Sequence, residues 1–221
     1  MPTALITGAS RGIGSAIASA LAPTHTLLLA GRPSAGLDAT AERLAATTLP
    51  MDLTDTDAIA ANTASIGELD VLVHNAGVTR PGPIAESTVE EWRTTFEVNV
   101  IAVVALTLAL LPALRRARGQ VVFINSGSGR KASPAMASYS ASKFALRALA
   151  DSLRQGEPTL RVTTVYPGRT DTDMQRALVA FEGGRYDPAR FLRPDTVAGV
   201  VAGVVATPPD GHVHEVVVRP R

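Results

Sequence analysis

The strongest constraint on this chain lies at its start. A short apolar run, residues 4–7, flows into Gly8-Ala9-Ser10-Arg11-Gly12-Ile13-Gly14 and then into a helical pattern over residues 13–21. Glycines in such a turn let the backbone approach an anion without Cβ interference. The helix that follows aims free N–H groups and the positive end of its dipole at the same point. The turn is spaced GxxxGxG, and the rest of the chain repeats the strand–turn–helix unit. Residues 25–30, 71–75, 121–125, 162–166 and 213–218 form apolar runs that are mostly continuous rather than alternating, which predicts strands covered on both faces. Helical patterns fall near 89–116, 138–154 and 196–206, with Ser87 and Glu90 as a capping box for the first of these and Asp195 as a cap for the last. Repeated β–α–β units of these lengths imply an α/β fold, a doubly wound parallel sheet with helices on both faces, in a single domain over 1–221.

Composition narrows the chemistry. The absence of cysteine excludes disulfide scaffolds, thiolate metal sites and a cysteine nucleophile. A net charge of +1 gives no broad electrostatic footprint for nucleic acid. Arg115, Arg116 and Arg118 gather where a helix ends, as its dipole favours. The longest apolar stretch, 100–111, is interrupted by Thr107 and stopped by Pro112, short of the roughly 20 residues of a membrane span. The first residues lack the basic region and cleavage site of a leader. The expectation is a soluble, cytoplasmic protein with no membrane or nucleic-acid partner. His212 and His214 share a face of the last predicted strand, but no third ligand accompanies them and no metal site is expected. Lys131 reads as a solvated loop cation.

Only two of the 21 basic residues are lysines, and one of them stands out. Tyr139 and Lys143 are four apart in a helical pattern, so their side chains share a face. Ser126 ends a strand thirteen residues earlier, and Asn99 precedes the apolar stretch. A tyrosine with pKa about 10 is a poor base near neutrality, and a nearby ammonium stabilises its anion. A compact ammonium on a flexible stem suits that task better than a planar guanidinium.

The glycine turn, the segment His74-Asn75-Ala76-Gly77 and the Ser…Tyr-x-x-x-Lys spacing together resemble the short-chain dehydrogenase/reductase family, in its small single-domain branch. The resemblance covers nearly the whole chain and implies a Rossmann-type sheet. It implies a catalytic tetrad of Asn99, Ser126, Tyr139 and Lys143. Tyr139 would act as general acid/base, Ser126 would bind the carbonyl oxygen, Lys143 would also hold the ribose hydroxyls, and Asn99 would anchor a water relay. Ser128 offers a second hydroxyl close by, but the spacing to Tyr139 favours Ser126. Gly8, Ser10, Arg11, Gly12, Ile13 and Gly14 would cradle the dinucleotide phosphates. Asp52 and Leu53 would flank the adenine, and Asn75, Ala76 and Gly77 would support the sheet beside the cofactor. His74 replaces the first asparagine of that family element. Pro167, Gly168, Thr170 and Thr172 would hold the nicotinamide, with transfer of the pro-S hydride.

Preference between nicotinamide cofactors follows from charge. NAD-binding sheets usually end the second strand with an acid that accepts from the ribose 2′-OH. Here Gly31 stands in that place, and Arg32 and Arg11 are placed to pair with a 2′-phosphate. The resemblance therefore implies NADP(H). The substrate would be a small carbonyl or alcohol compound met by a partly apolar lid, about residues 173–194. Residues 32–52 look trimmed, with little room for a second helix and third strand. The long helix and the Tyr139 helix are the faces that pair in family dimers and tetramers, so a homodimer or homotetramer is implied. The competing reading is a protein that binds NADP(H) as a redox sensor or scaffold without turnover.

Overall fold

A computed structural model describes residues 1–221. Seven parallel strands form one sheet: β1 (Thr3–Thr7), β2 (Thr26–Gly31), β3 (Thr47–Pro50), β4 (Val71–His74), β5 (Gln120–Ile124), β6 (Arg161–Pro167) and β7 (Glu215–Val218). Their spatial order is β3-β2-β1-β4-β5-β6-β7. The chain reverses direction beside β1, and ligand crevices in open α/β sheets form at such switch points, outside the carboxyl ends of the strands. The central strands bury residues on both faces, as their continuous apolar runs require.

Helices cover both sides. On one face α1 (Gly12–Leu21), α2 (Ala35–Leu44) and α8 (Pro194–Val205) enclose a core that includes Ile6, Ile17, Leu29, Leu37, Val73 and Val201. On the other face α3 (Thr56–Thr63), α5 (Ala102–Ala117) and α6 (Ala137–Gly156) enclose Leu5, Ile59, Leu72, Leu106, Phe123 and Leu146. The remaining helices are α4 (Val89–Phe96) and α7 (Asp173–Phe181).

Residues 32–52 are not too short for a full unit. Ser34 caps α2 by accepting from Leu37 N–H, Ala45 closes it in the left-handed conformation, and β3 follows at once. Two caps also differ from expectation. The capping box at α4 is Thr88 with Glu91, one residue later than Ser87 with Glu90, and both reciprocal hydrogen bonds are made. At α8 the cap position is Arg193, with Asp195 inside the first turn, where its charge meets the dipole instead.

The helical run Val89–Ala117 is 29 residues long, and by length and composition alone it meets the test for a membrane span. Pro112 sits inside α5 without ending it. Val103, Leu106, Leu110, Ala113 and Leu114 are buried against the sheet, so this is a core helix with one outward face. Between α4 and α5 the run widens into a π-helical turn, Glu97–Ile101. Such turns insert one residue into the helical ladder and often mark functional positions. The residue at its centre is Asn99.

Candidate active site

The phosphate turn is built from conformations that only glycine adopts without strain. Gly8 and Gly12 have φ of +66° and +56°, and a Cβ at Gly14 would fall 2.2 Å from the Gly8 carbonyl oxygen. No side chain caps α1, and no acid occupies its first turn. Its N-terminal N–H groups are therefore free to meet an anion, and the turn fits a dinucleotide pyrophosphate. The neighbouring strand end is stitched to it through Thr7. The Thr7 hydroxyl accepts from Asn75 N–H at 2.9 Å and Ala76 N–H at 3.0 Å, while Asn75 Nδ2 donates to the Thr7 carbonyl at 2.9 Å. A Cβ on Gly77 would lie 3.2 Å from Asn99 Oδ1 and 3.8 Å from Lys143 Nζ, so this segment runs from the glycine turn to the tetrad. Ser10 packs against the start of α2, and Ile13 against the adjacent core.

The four candidate catalytic side chains converge. Asn99 is buried, accepts from Val78 N–H at 2.8 Å, and donates to the Val78 carbonyl at 2.9 Å and to Ser142 Oγ at 3.0 Å. Lys143 is 4% exposed, and its ammonium donates to the Ile124 carbonyl at 3.1 Å. Its Nζ lies 5.7 Å from the centre of the Tyr139 ring. Burial pushes the Lys143 pKa down to about 8. Burial also raises the Tyr139 phenol above its ordinary value, and a hydrogen bond with Ser126 pulls it back part of the way. Ser126 Oγ accepts from Ser128 N–H at 3.1 Å, which closes the turn between the two serines.

Two supporting residues carried no signal of their own in the sequence. Asn125 donates to the Lys143 carbonyl at 3.1 Å and accepts from Ser126 N–H at 2.8 Å, tying the serine turn to α6. Ser142 links Asn99 to α6 by donating to the Tyr139 carbonyl at 2.8 Å. A polar residue just past a buried strand, and a serine among Tyr-x-x-x-Lys, are weak signals when read alone.

His74 is buried, stacks on Phe123 at 5.1 Å and pairs through Nε2 with Thr107 Oγ1 at 2.9 Å. It supports the β4–α5 packing and stays neutral, with a pKa pushed down to about 3 by burial.

On the adenine side, Asp52 lies just beyond β3. Hydrogen bonds from Thr54 N–H and hydroxyl hold its pKa down, with Arg32 adding a smaller pull. Leu53 is half-buried beside the core. Gly31 has open space around it, and Arg32 is exposed. Arg11 instead pairs with Asp173 at 3.5 Å.

Past β6, Pro167 ends the strand opposite Val218, Thr170 donates to the Gly168 carbonyl, and Thr172 caps α7 by accepting from Gln175 N–H. A Cβ on Gly12 would lie 3.3 Å from Thr172 Cγ2, which brings this segment over the glycine turn. The lid is folded down. Thr170 pairs with Leu192, Arg169 with Glu182 at 2.6 Å, and Arg176 with Asp171 at 3.0 Å. His212 and His214 precede β7 rather than sharing a face of it, and His212 Nε2 lies 2.8 Å from Val162 N–H.

Sheet order, glycine turn and tetrad together define a Rossmann-type α/β protein of the tyrosine–lysine class. The chain belongs to the short-chain dehydrogenase/reductase family, an oxidoreductase family, and residues 2–183 match its short chain dehydrogenase model. Dehydrogenase/reductase SDR family member 7B of Mus musculus is 35% identical over 219 residues, 91% of this chain and 67% of its own length. Glycine betaine reductase ATRR of Emericella nidulans is 36% identical over 99% of this chain, which spans only 18% of that protein's length. An alcohol dehydrogenase from the archaeon Thermococcus sibiricus, solved with 5-hydroxy-NADP, superposes with a TM-score of 0.91 at 29% identity, covering 100% of this chain and 97% of the other.

Proposed function

We propose that the protein is an NADP(H)-dependent oxidoreductase that interconverts a ketone or aldehyde and the corresponding alcohol, with Tyr139 as general acid/base. The observation that carries this reading is the arrangement around Tyr139: the Lys143 ammonium lies 5.7 Å from its ring, both residues are buried, and Ser126 is close enough to lower the phenol's raised pKa. Bound NADP(H) supplies the hydride to the carbonyl carbon, or takes it back from the alcohol. In reduction Tyr139 gives its phenolic proton to the forming alkoxide, and Ser126 donates a hydrogen bond that holds that oxygen beside it. Lys143 stabilises the phenolate left behind. Asn99, fixed by its two bonds to Val78, maintains the π-helical turn beside Lys143. Choice of NADP(H) rests on the missing acid at Gly31, on the exposed Arg32 and Arg11, and on the NADP analogue bound by the archaeal relative.

The outward face of the long helix leaves Ile101 and Leu108 exposed, with Phe144 of α6 exposed as well. These support a homo-oligomer of the kind the family forms, and a cytoplasmic location belongs to the same reading. The direct test is NADPH oxidation at 340 nm against aldehydes, ketones and quinones, with Tyr139→Phe in parallel. Turnover lost in the variant and much weaker with NADH supports the reading. Tight NADPH binding with no turnover of any carbonyl leaves the sensor reading instead.

A further inference from the structure

The chain after β7 crosses the carboxyl edge of the sheet, where the active site lies. A Cβ on Gly168 would fall 2.8 Å from Pro220 Cδ and 3.3 Å from Arg219 Cδ. The Arg219 side chain continues past β6 to the turn after β5, where a Cβ on Gly127 would fall 2.5 Å from Nη1 and 3.2 Å from Cζ. Any larger residue at either place displaces the arginine or the backbone, so two glycines shape its path. Gly127 directly follows Ser126, the hydroxyl proposed to work with Tyr139. Arg219 thus passes beside the turn that carries Ser126, the serine proposed to bind the carbonyl oxygen.

Its charge is unanswered. Arg219 takes part in none of the ion pairs of the chain, and it is exposed. The acid nearest in sequence, Glu215, is committed elsewhere: it accepts from the Tyr166 hydroxyl at 2.9 Å and pairs with Arg147 at 3.4 Å. Arg130, at the end of the same serine turn, lies over the Tyr166 ring at 5.3 Å, again with no carboxylate partner. A guanidinium beside the serine turn with its donors unspent suits a planar two-oxygen anion.

We infer that Arg219 binds a carboxylate of the substrate, so that the site favours keto acids and hydroxy acids over neutral ketones and alcohols. This deepens the oxidoreductase reading and rests on it.

The test compares 2-, 3- and 4-keto acids of four to six carbons with their ethyl esters, using NADPH and the wild-type, Arg219→Gln and Arg219→Lys proteins. The expected result is kcat/KM at least tenfold higher for one acid than for its ester. In Arg219→Gln that ratio falls at least tenfold, mainly through KM, and Arg219→Lys restores part of it. An ester turned over as well as its acid, or a ratio unmoved by Arg219→Gln, overturns the inference and leaves the oxidoreductase reading standing. If no carbonyl is turned over, calorimetric titration of the keto acids into the NADP⁺-bound protein decides. Binding lost in Arg219→Gln supports the subsite while counting against turnover, and absence of binding to the wild type overturns the subsite.

Discussion

Arg11 of the glycine turn and Asp173 at the first position of α7 form an ion pair, 3.5 Å apart, that joins the phosphate-binding element to the lid. The arginine proposed to meet a 2′-phosphate is therefore already engaged by a carboxylate, and a bound phosphate would compete for it. Both side chains are largely exposed, so the pair is weak and the competition modest. Asp173→Asn is expected to tighten NADPH binding about two- to fivefold while leaving NADH unchanged. Fluorescence titration of both cofactors checks this, and an equal shift in the two would refute the competition.

Lys143 carries a pH signature. Burial lowers its pKa from 10.5 to about 8, so between those values the unfolded chain binds more protons than the folded one. Stability attributable to this residue therefore rises as pH climbs from 8 to 10.5. Lys143→Met removes the charge. Its stability relative to wild type should fall by on the order of 3 kcal/mol across that window, read from urea melts at pH 7.5 and 10.5.

His74 acts at the acid end. Its folded pKa of about 3 lies below the ordinary 6.5, so protonation of the unfolded chain draws stability away as pH falls through that interval. Restoring the asparagine of the family pattern, His74→Asn, should flatten the loss. Guanidinium melts at pH 7 and pH 4.5 measure it, and a variant as acid-sensitive as wild type would rule His74 out as the cause.

Leu108 is 64% exposed in the middle of α5. Leu108→Glu places a charge on the face proposed to pair between copies. Light scattering after size exclusion should report a dimer or tetramer for wild type and a monomer for the variant, with turnover reduced. Equal masses for the two proteins would remove this face from the interface.

Continuous apolar strands, the glycine turn and the Tyr–Lys spacing made the sheet and the tetrad legible before any coordinates, because each is dictated by local chemistry. The helix within residues 32–52 is hard to see in the sequence since a ten-residue α2 closed by Ala45 in the left-handed conformation needs no glycine to mark its end. The cap of α4 slipped by one residue because Ser87 and Thr88 are both good caps, each with a glutamate three residues on. The Arg11–Asp173 pair and the path of Arg219 past Gly168 and Gly127 are not legible for a different reason: both depend on where distant segments land, and residue spacing carries no such information.

Thr7 also sets an order of assembly. Its hydroxyl meets Asn75 and Ala76, 68 and 69 residues downstream, so β1 gains its second neighbour only after β4 has been synthesised. At about 5–20 residues per second, the nascent glycine turn waits several seconds on the ribosome with its strand edge open. During that interval β2 is the only neighbour β1 has on offer, through a local crossover that closes quickly. The phosphate cradle is thus translated before the segment that completes it, which ties cofactor capture to the emergence of the second half of the sheet.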